Sequence, residues 1–405
     1  MKKILSYIIT ASLVIGSAVS CIYPFEPDIP ELTETVVIEG DIRVGSVSHF
    51  NVSFLQELGS KDPVKKAYGR VYVEDDQGQK YEGTTIGTIG YTAGYYVDLT
   101  EASPDRKYRL CVIVPQYDPE KLANYVHEYQ SDFLTPLPAP VIDGITYIES
   151  EDKTKVDVCL SFTSTEGNKY FKWDYIEDWE YHAPMQCKVE YIPPAPSLVR
   201  DPDDNGQIVN KEVDTYWCWT HKESSENELV SVMELTADKV VDHKFLTIGY
   251  TDLRIQSLYR MTVELDAISA DGYAYWKNLQ EISDYHGSLD TPNPSQIAGN
   301  VHCVSDPTEF VIGYINASIV ATAHEYYDGA ASRIYEDKNE YTIEEGVQEV
   351  DWYKMYQKGL LPVEYKESFM ADEPSGWTWA SKRCTDCRAF GGTKTRPDDW
   401  PTKHE

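Results

Sequence analysis

After its first twenty residues, this chain of 405 residues has no apolar run near the roughly 20 residues that span a bilayer. The body is therefore expected to be soluble. Basic residues are scarce, with 36 Lys and Arg against 67 Asp and Glu and a formal net charge of −31. Such an excess repels phosphate backbones, which excludes nucleic acid as an expected partner. It also argues against lying flat on an anionic lipid surface, and its plain meaning is solubility. Recognisable catalytic patterns are missing too: there is no G-x-S-x-G elbow, phosphate loop or H-E-x-x-H. His324-Glu325 opens a zincin pattern that lacks its second His. Carboxylate pairs suited to glycoside hydrolysis are too numerous to single out among 67 acids. No repeat of 20–50 residues is visible.

What is present begins with a leader. Lys2 and Lys3 precede the short apolar run Ile4–Ile15, and Gly16-Ser17-Ala18-Val19-Ser20 leads into Cys21. This layout predicts a cleaved export signal over residues 1–20, not a membrane helix. A small residue directly before Cys resembles a lipobox, although Ala18 stands where Leu is more usual. Lipidation of Cys21 would anchor the chain by several acyl chains, which holds where a single chain does not. Residues 21–33, rich in Pro and acids, read as a tether.

The rest reads as mainly β, with immunoglobulin-like β-sandwich domains, a short helix and an irregular C-terminal cap. Short β-branched and aromatic segments such as Val36-Val37-Ile38-Glu39 and Arg70-Val71-Tyr72-Val73 recur between turn residues, and Asp75-Asp76-Gln77-Gly78 reads as a hairpin turn. Six or so strands over residues 34–135 predict a first sandwich, closed before Pro136-Leu137-Pro138-Ala139-Pro140. A larger β-rich domain is expected over 141–405. Lys155–Phe162 and Leu258–Leu265 alternate with period two. Residues 193–215 read as an insertion without regular structure. Tyr273, Trp276, Leu279 and Ile282 predict a helix over 271–284, with Asp271 able to cap it.

Seven cysteines follow Cys21, and export permits disulfides. An odd number leaves at least one unpaired within the chain. Cys384 and Cys387 form a CxxC, but the following Arg388-Ala389-Phe390-Gly391-Gly392 is poor helix material, which disfavours a redox motif. No second CxxC exists for a zinc ribbon. One or both are expected to pair with distant cysteines, Cys303 foremost, while Cys187 and Cys218 could close the insertion. Asp201, Asp203, Asn205, Gly206 and Glu212 match the spacing of a calcium loop, so calcium is the one cofactor suggested; an acidic surface turn is the plainer alternative. Trp173, Tyr175, Trp179 and Tyr181 alternate on one strand and form either a stacking platform for a sugar or peptide or a core stripe.

Four segments together resemble a known family: Cys21-Ile22-Tyr23-Pro24-Phe25-Glu26-Pro27; Val36-Val37-Ile38-Glu39-Gly40; Gly299-Asn300-Val301-His302-Cys303-Val304-Ser305; and Cys384-Thr385-Asp386-Cys387-Arg388 leading through Gly391-Gly392-Thr393 to Pro397-Asp398-Asp399-Trp400-Pro401. The chain looks like the lipoproteins of Bacteroidota catalogued as domain of unknown function 4249, and the likeness covers essentially its whole length. The resemblance implies neighbourhood with TonB-dependent outer-membrane transporters, and hence an accessory role in uptake. It transfers no catalytic residues. The expectation is an outer-membrane lipoprotein, anchored in the membrane through its lipid and more at the surface than facing the periplasm, that captures or presents a ligand to a TonB-dependent transporter. An envelope hydrolase acting on glycan or peptide and a structural subunit of an envelope assembly complex stand as alternatives.

Overall fold

The computed structural model describes residues 35–55, 67–85, 93–118, 123–194, 205–224, 228–233, 238–284, 299–368 and 374–401. Cys21 and the expected leader lie outside these residues, as do Asp201 and Asp203 of the expected calcium loop. Among the described residues no helix is long and apolar enough to cross a membrane.

The chain is mainly β, in sandwich-like sheets with few helices. Its first body is one nine-stranded sheet that nearly closes on itself. In spatial order the strands are Val301–Cys303, Ala123–Ser131, Tyr108–Asp118, Arg70–Asp75, Lys80–Thr85, Ala93–Asp98, Val47–Phe54, Val36–Gly40 and Val311–Ile312. Alternation places Val36, Ile38, Phe50, Val52, Val71, Val73, Leu110 and Val112 inside, as the two-residue period of a strand requires. Both terminal strands of this sheet come from residues 301–312, so the expected undivided domain over 141–405 needs correcting. The chain returns to complete the first body, because an open sheet leaves unpaired edge groups that closure satisfies.

The second body is a sandwich. Lys239–Gly249, Lys155–Thr163 and Val141–Glu149 form one sheet; Trp217–Glu223, Tyr170–His182, Leu258–Ile268 and Ala321–Asp328 form the other, with Glu228–Ser231 also on Tyr170–His182. Val156, Val158, Leu160 and Phe162 face Phe171, Trp173, Met261, Val263 and Leu265 in its core.

Three local expectations change. The expected insertion over 193–215 holds a strand, Gln207–Asn210, that pairs as a hairpin with Val189–Ile192 just before it. The end region contains a regular antiparallel sheet, Ile343–Val347, Gly376–Ser381 and Leu360–Lys366, packed through Trp379, Leu360 and Met355 against Tyr191 of that hairpin; after Ser381 come two short helical turns, Lys382–Thr385 and Cys387–Phe390. The helix spans Ala270–Asp284, but Ser269, not Asp271, accepts an orphan N–H: its Oγ takes the Gly272 N–H at 3.0 Å.

Candidate functional site

Three polar constellations stand out, and each uses residues far apart in sequence. The first joins the two bodies. Lys172 and Asp41 form an ion pair with both side chains almost wholly buried, and Asn316 Nδ2 donates to Asp41 Oδ1 at 3.1 Å. Beside it, Arg43 binds Asp174 at 2.8 Å and Asp266 at 3.1 Å, and also Glu264. Strand register explains the convergence, because Lys172 lies opposite Asp266 and Asp174 opposite Glu264. The cluster sets two cations against four acids. Burial pushes the Asp266 carboxyl up to about 6, and the charge of Asp41 adds to the push against the pull of Arg43 and Lys172. Burial also opposes ionisation of Asp41, yet Lys172 and Arg43 outweigh it and hold that carboxyl below its ordinary range. The acids of this face are thus committed to clamping one body on the other.

The second constellation holds the end of the chain. Cys218 and Cys387 are joined in a disulfide with Cα atoms 5.6 Å apart. Tyr181 donates its hydroxyl to the Cys387 carbonyl at 3.0 Å and accepts the Gly392 N–H at 2.8 Å. Trp400 Nε1 donates to buried Glu180 at 2.7 Å, and Arg260 binds both Asp178, at 2.8 Å, and Asp399, at 2.5 Å. The expected partnership of the tail with Cys303 is therefore corrected: Cys387 meets Cys218, while Cys303, Cys384 and Cys187 are free and buried. A Cys187–Cys218 closure is corrected too, since Cys187 Sγ donates instead to the Pro362 carbonyl at 2.9 Å.

The third constellation lies at the seam of the nine-stranded sheet. Cys303 is in register with Tyr129, and His127 lies two residues along the same strand, hence on the same face. Glu309 comes from the segment that leads from Val301–Cys303 to Val311–Ile312. Cys303 Sγ lies 3.4 Å from Glu309 Oε2 and 4.0 Å from His127 Nδ1, and His127 pairs directly with Glu309. Tyr129 donates its hydroxyl to the other Glu309 oxygen, and Ser305 Oγ stands 3.2 Å from the sulfur. Burial pushes the Cys303 thiol up, as does Glu309, against the hydrogen bonds from Ser305 and the Asp306 N–H. Sulfur, imidazole nitrogen and carboxylate oxygen are the donors of a transition-metal site. Cys303 alone was marked by the sequence, and for another role. His127 lies 176 positions away and carries no local signal.

The same seam accounts for the segment beginning at Gly299. A Cβ on Gly299 would lie 1.8 Å from the Gly313 carbonyl oxygen, so only glycine permits this approach. Asn300 Nδ2 donates to the Ile315 carbonyl and its Oδ1 accepts the Ile315 N–H, both at 2.8 Å. This side chain bridges the seam as a strand would.

The aromatic stripe is core, not platform. Trp173 is fully buried in the sandwich, where Tyr175 and Trp179 pack partly buried against the interior facing the opposing sheet, while Tyr181 is buried beneath the end of the chain beside Cys218 and Cys387. Of the calcium set, the Asn205 carbonyl accepts the Tyr191 hydroxyl at 2.7 Å, Gly206 turns at φ +79° and Glu212 is exposed. His324 sits on the strand Ala321–Asp328, where a zincin pair on one helix face has no counterpart.

Among solved structures, the chain is similar to a DUF4785 family protein from Legionella pneumophila at 7% identity and a TM-score of 0.19. That match covers 56% of this chain and 51% of the other, so the chain spans about half the length of the structure it matches; a likeness this low carries no argument. No curated protein matches. The family landmarks near the end of the chain lie beyond the matched range, whose limit is residue 324. The chain belongs to the family described as Domain of unknown function (DUF4249), whose model matches residues 22–324.

Proposed function

We propose that this chain is a lipid-anchored protein of the bacterial outer membrane, held at the cell surface, that serves a TonB-dependent transporter as an accessory subunit and presents or captures its ligand. The observation that carries the reading is the leader that ends at Cys21, with a basic start, a short apolar run and small residues before the cysteine. The partner follows from the resemblance described above. The buried clamp of Lys172, Asp41 and Arg43 suits this role, because it holds two β bodies as one presenting unit. Presentation by loops and sheet rims is favoured over an aromatic platform, since Trp173 and Tyr181 are spent on the core.

Affinity purification of the full chain from native membranes tests the partnership. A transporter barrel recovered in stable stoichiometry is the expected result, and repeated recovery without one would overturn it. Cys21→Ser separates anchor from partner: the variant is expected in the soluble fraction, and membrane retention would sink the lipid anchor. Protease treatment of intact cells is expected to digest the body, and full protection would place it on the periplasmic face.

A further inference from the structure

We propose that His127, Cys303 and Glu309 bind one divalent transition metal ion of the zinc type, which fastens the seam of the first body. The three donors match a borderline-soft cation that accepts thiolate, imidazole and carboxylate together; calcium and magnesium prefer oxygen alone. Around a tetrahedral zinc ion, donor atoms stand about 3.3–3.6 Å apart. Cys303 Sγ is already 3.4 Å from Glu309 Oε2 and 4.0 Å from His127 Nδ1. The remaining edge, between His127 Nδ1 and Glu309 Oε2, is a direct contact. A cation enters between them once the two side chains part by a small rotation.

The surroundings are built for fixed donors. Tyr129, fully buried, holds one Glu309 oxygen and leaves the other aimed at His127 and Cys303. Ser305 Oγ and the Asp306 N–H lie against the sulfur, where they support the thiolate that a bound cation creates by displacing its proton. Cys303 is buried, whereas the side chains of His127 and Glu309 are 22% and 19% exposed, so the cluster is open on one side. Three protein ligands leave a fourth position for water or an exogenous donor.

The placement gives the ion a structural task. His127 and Cys303 stand on neighbouring strands at one edge of the sheet, and Glu309 lies on the segment that carries the chain to the opposite edge, Val311–Ile312. Gly299 and Asn300 close the same seam a few residues away through backbone approach and side-chain bridging. A cation on the triad ties the crossing segment down at its other end. This inference is independent of the transporter proposed above, because its test needs only the metal.

The test uses the full chain in detergent after chelator treatment, titrated with Zn²⁺ by calorimetry and with Co²⁺ by absorption. One equivalent is expected to bind, with a near-ultraviolet sulfur-to-cobalt charge-transfer band and a rise in thermal midpoint. Cys303→Ser is expected to abolish the band. Tyr129→Phe, which only frees the carboxylate, is expected to weaken binding by roughly 10- to 100-fold. Glu309→Gln, nearly the same in shape, guards against misfolding in the cysteine variant and is expected to weaken binding more than Tyr129→Phe does. Absence of saturable binding, a cobalt spectrum without the sulfur band, or Glu309→Gln binding like the parent would each overturn the site.

Discussion

Lys172 of the sandwich and Asp41, the residue that directly follows the strand Val36–Gly40 of the nine-stranded sheet, form an ion pair buried at the junction between the two bodies. Removing one partner strands the other charge away from water, which typically costs about 3–5 kcal/mol. Lys172→Met is therefore expected to lower unfolding stability by that amount, read as a shift of the urea midpoint. The double variant Lys172→Met with Asp41→Asn should lose less than the sum of the singles. Additive losses would show that the pair is not coupled.

Stability should fall as the pH rises from about 4 to about 6. Asp266 has its carboxyl pushed up to about 6 by burial, while in the unfolded chain an Asp titrates near 3.9. Between those values the folded state holds the proton and the unfolded state does not, so raising the pH favours unfolding. The group's contribution is whole below the lower value and lost above the upper one, at most about 3 kcal/mol. Denaturation midpoints measured across this range check the slope, and Asp266→Asn is expected to flatten it.

The Cys218–Cys387 bond closes a separation of 169 residues. Constraint of so long a loop in the unfolded chain predicts a loss of about 2–5 kcal/mol on removal. Cys218→Ala with Cys387→Ala is expected to unfold at lower temperature, with the tail cut first by protease. Non-reducing peptide mapping should find this pair joined and Cys187, Cys303 and Cys384 as thiols. A Cys303–Cys384 or Cys303–Cys387 peptide would refute the assignment.

Gly299→Ala should be far more damaging than Gly144→Ala. The added carbon meets the Gly313 carbonyl oxygen at 1.8 Å in the first case and nothing within 4 Å in the second. Backbone atoms at the seam must part to admit it, which predicts a loss of about 3 kcal/mol or more, at the upper end of overpacking costs. Gly144→Ala is expected to stay within about 0.5 kcal/mol of the parent. Thermal unfolding of the two variants side by side decides it.

The β elements were legible because their cause is local. Lys155–Phe162 and Leu258–Leu265 alternate with the period that puts one face in a core, and both are strands of the sandwich. The helix near 271–284 was legible from its three-residue spacing, and it spans Ala270–Asp284. The aromatic stripe at Trp173 was visible, but its use was not: periodicity says which residues share a face, not what covers that face. The pairing of Cys387 was illegible for a related reason. Cysteine spacing cannot set connectivity, and only the packing of Tyr181 against Cys387 and Gly392 brings Cys218 into reach.

The β class, the strand faces and the acidity could be read from the residues alone, because all three depend on residue type and short-range order. That residues 301–312 return to close the first sheet emerges from the fold and not from any local pattern. The same holds for the meeting of Lys172 with Asp41 and of His127 with Cys303 and Glu309. These contacts join residues more than a hundred positions apart, and no local pattern encodes which distant strands pack together; the burial of both sheets as a whole does.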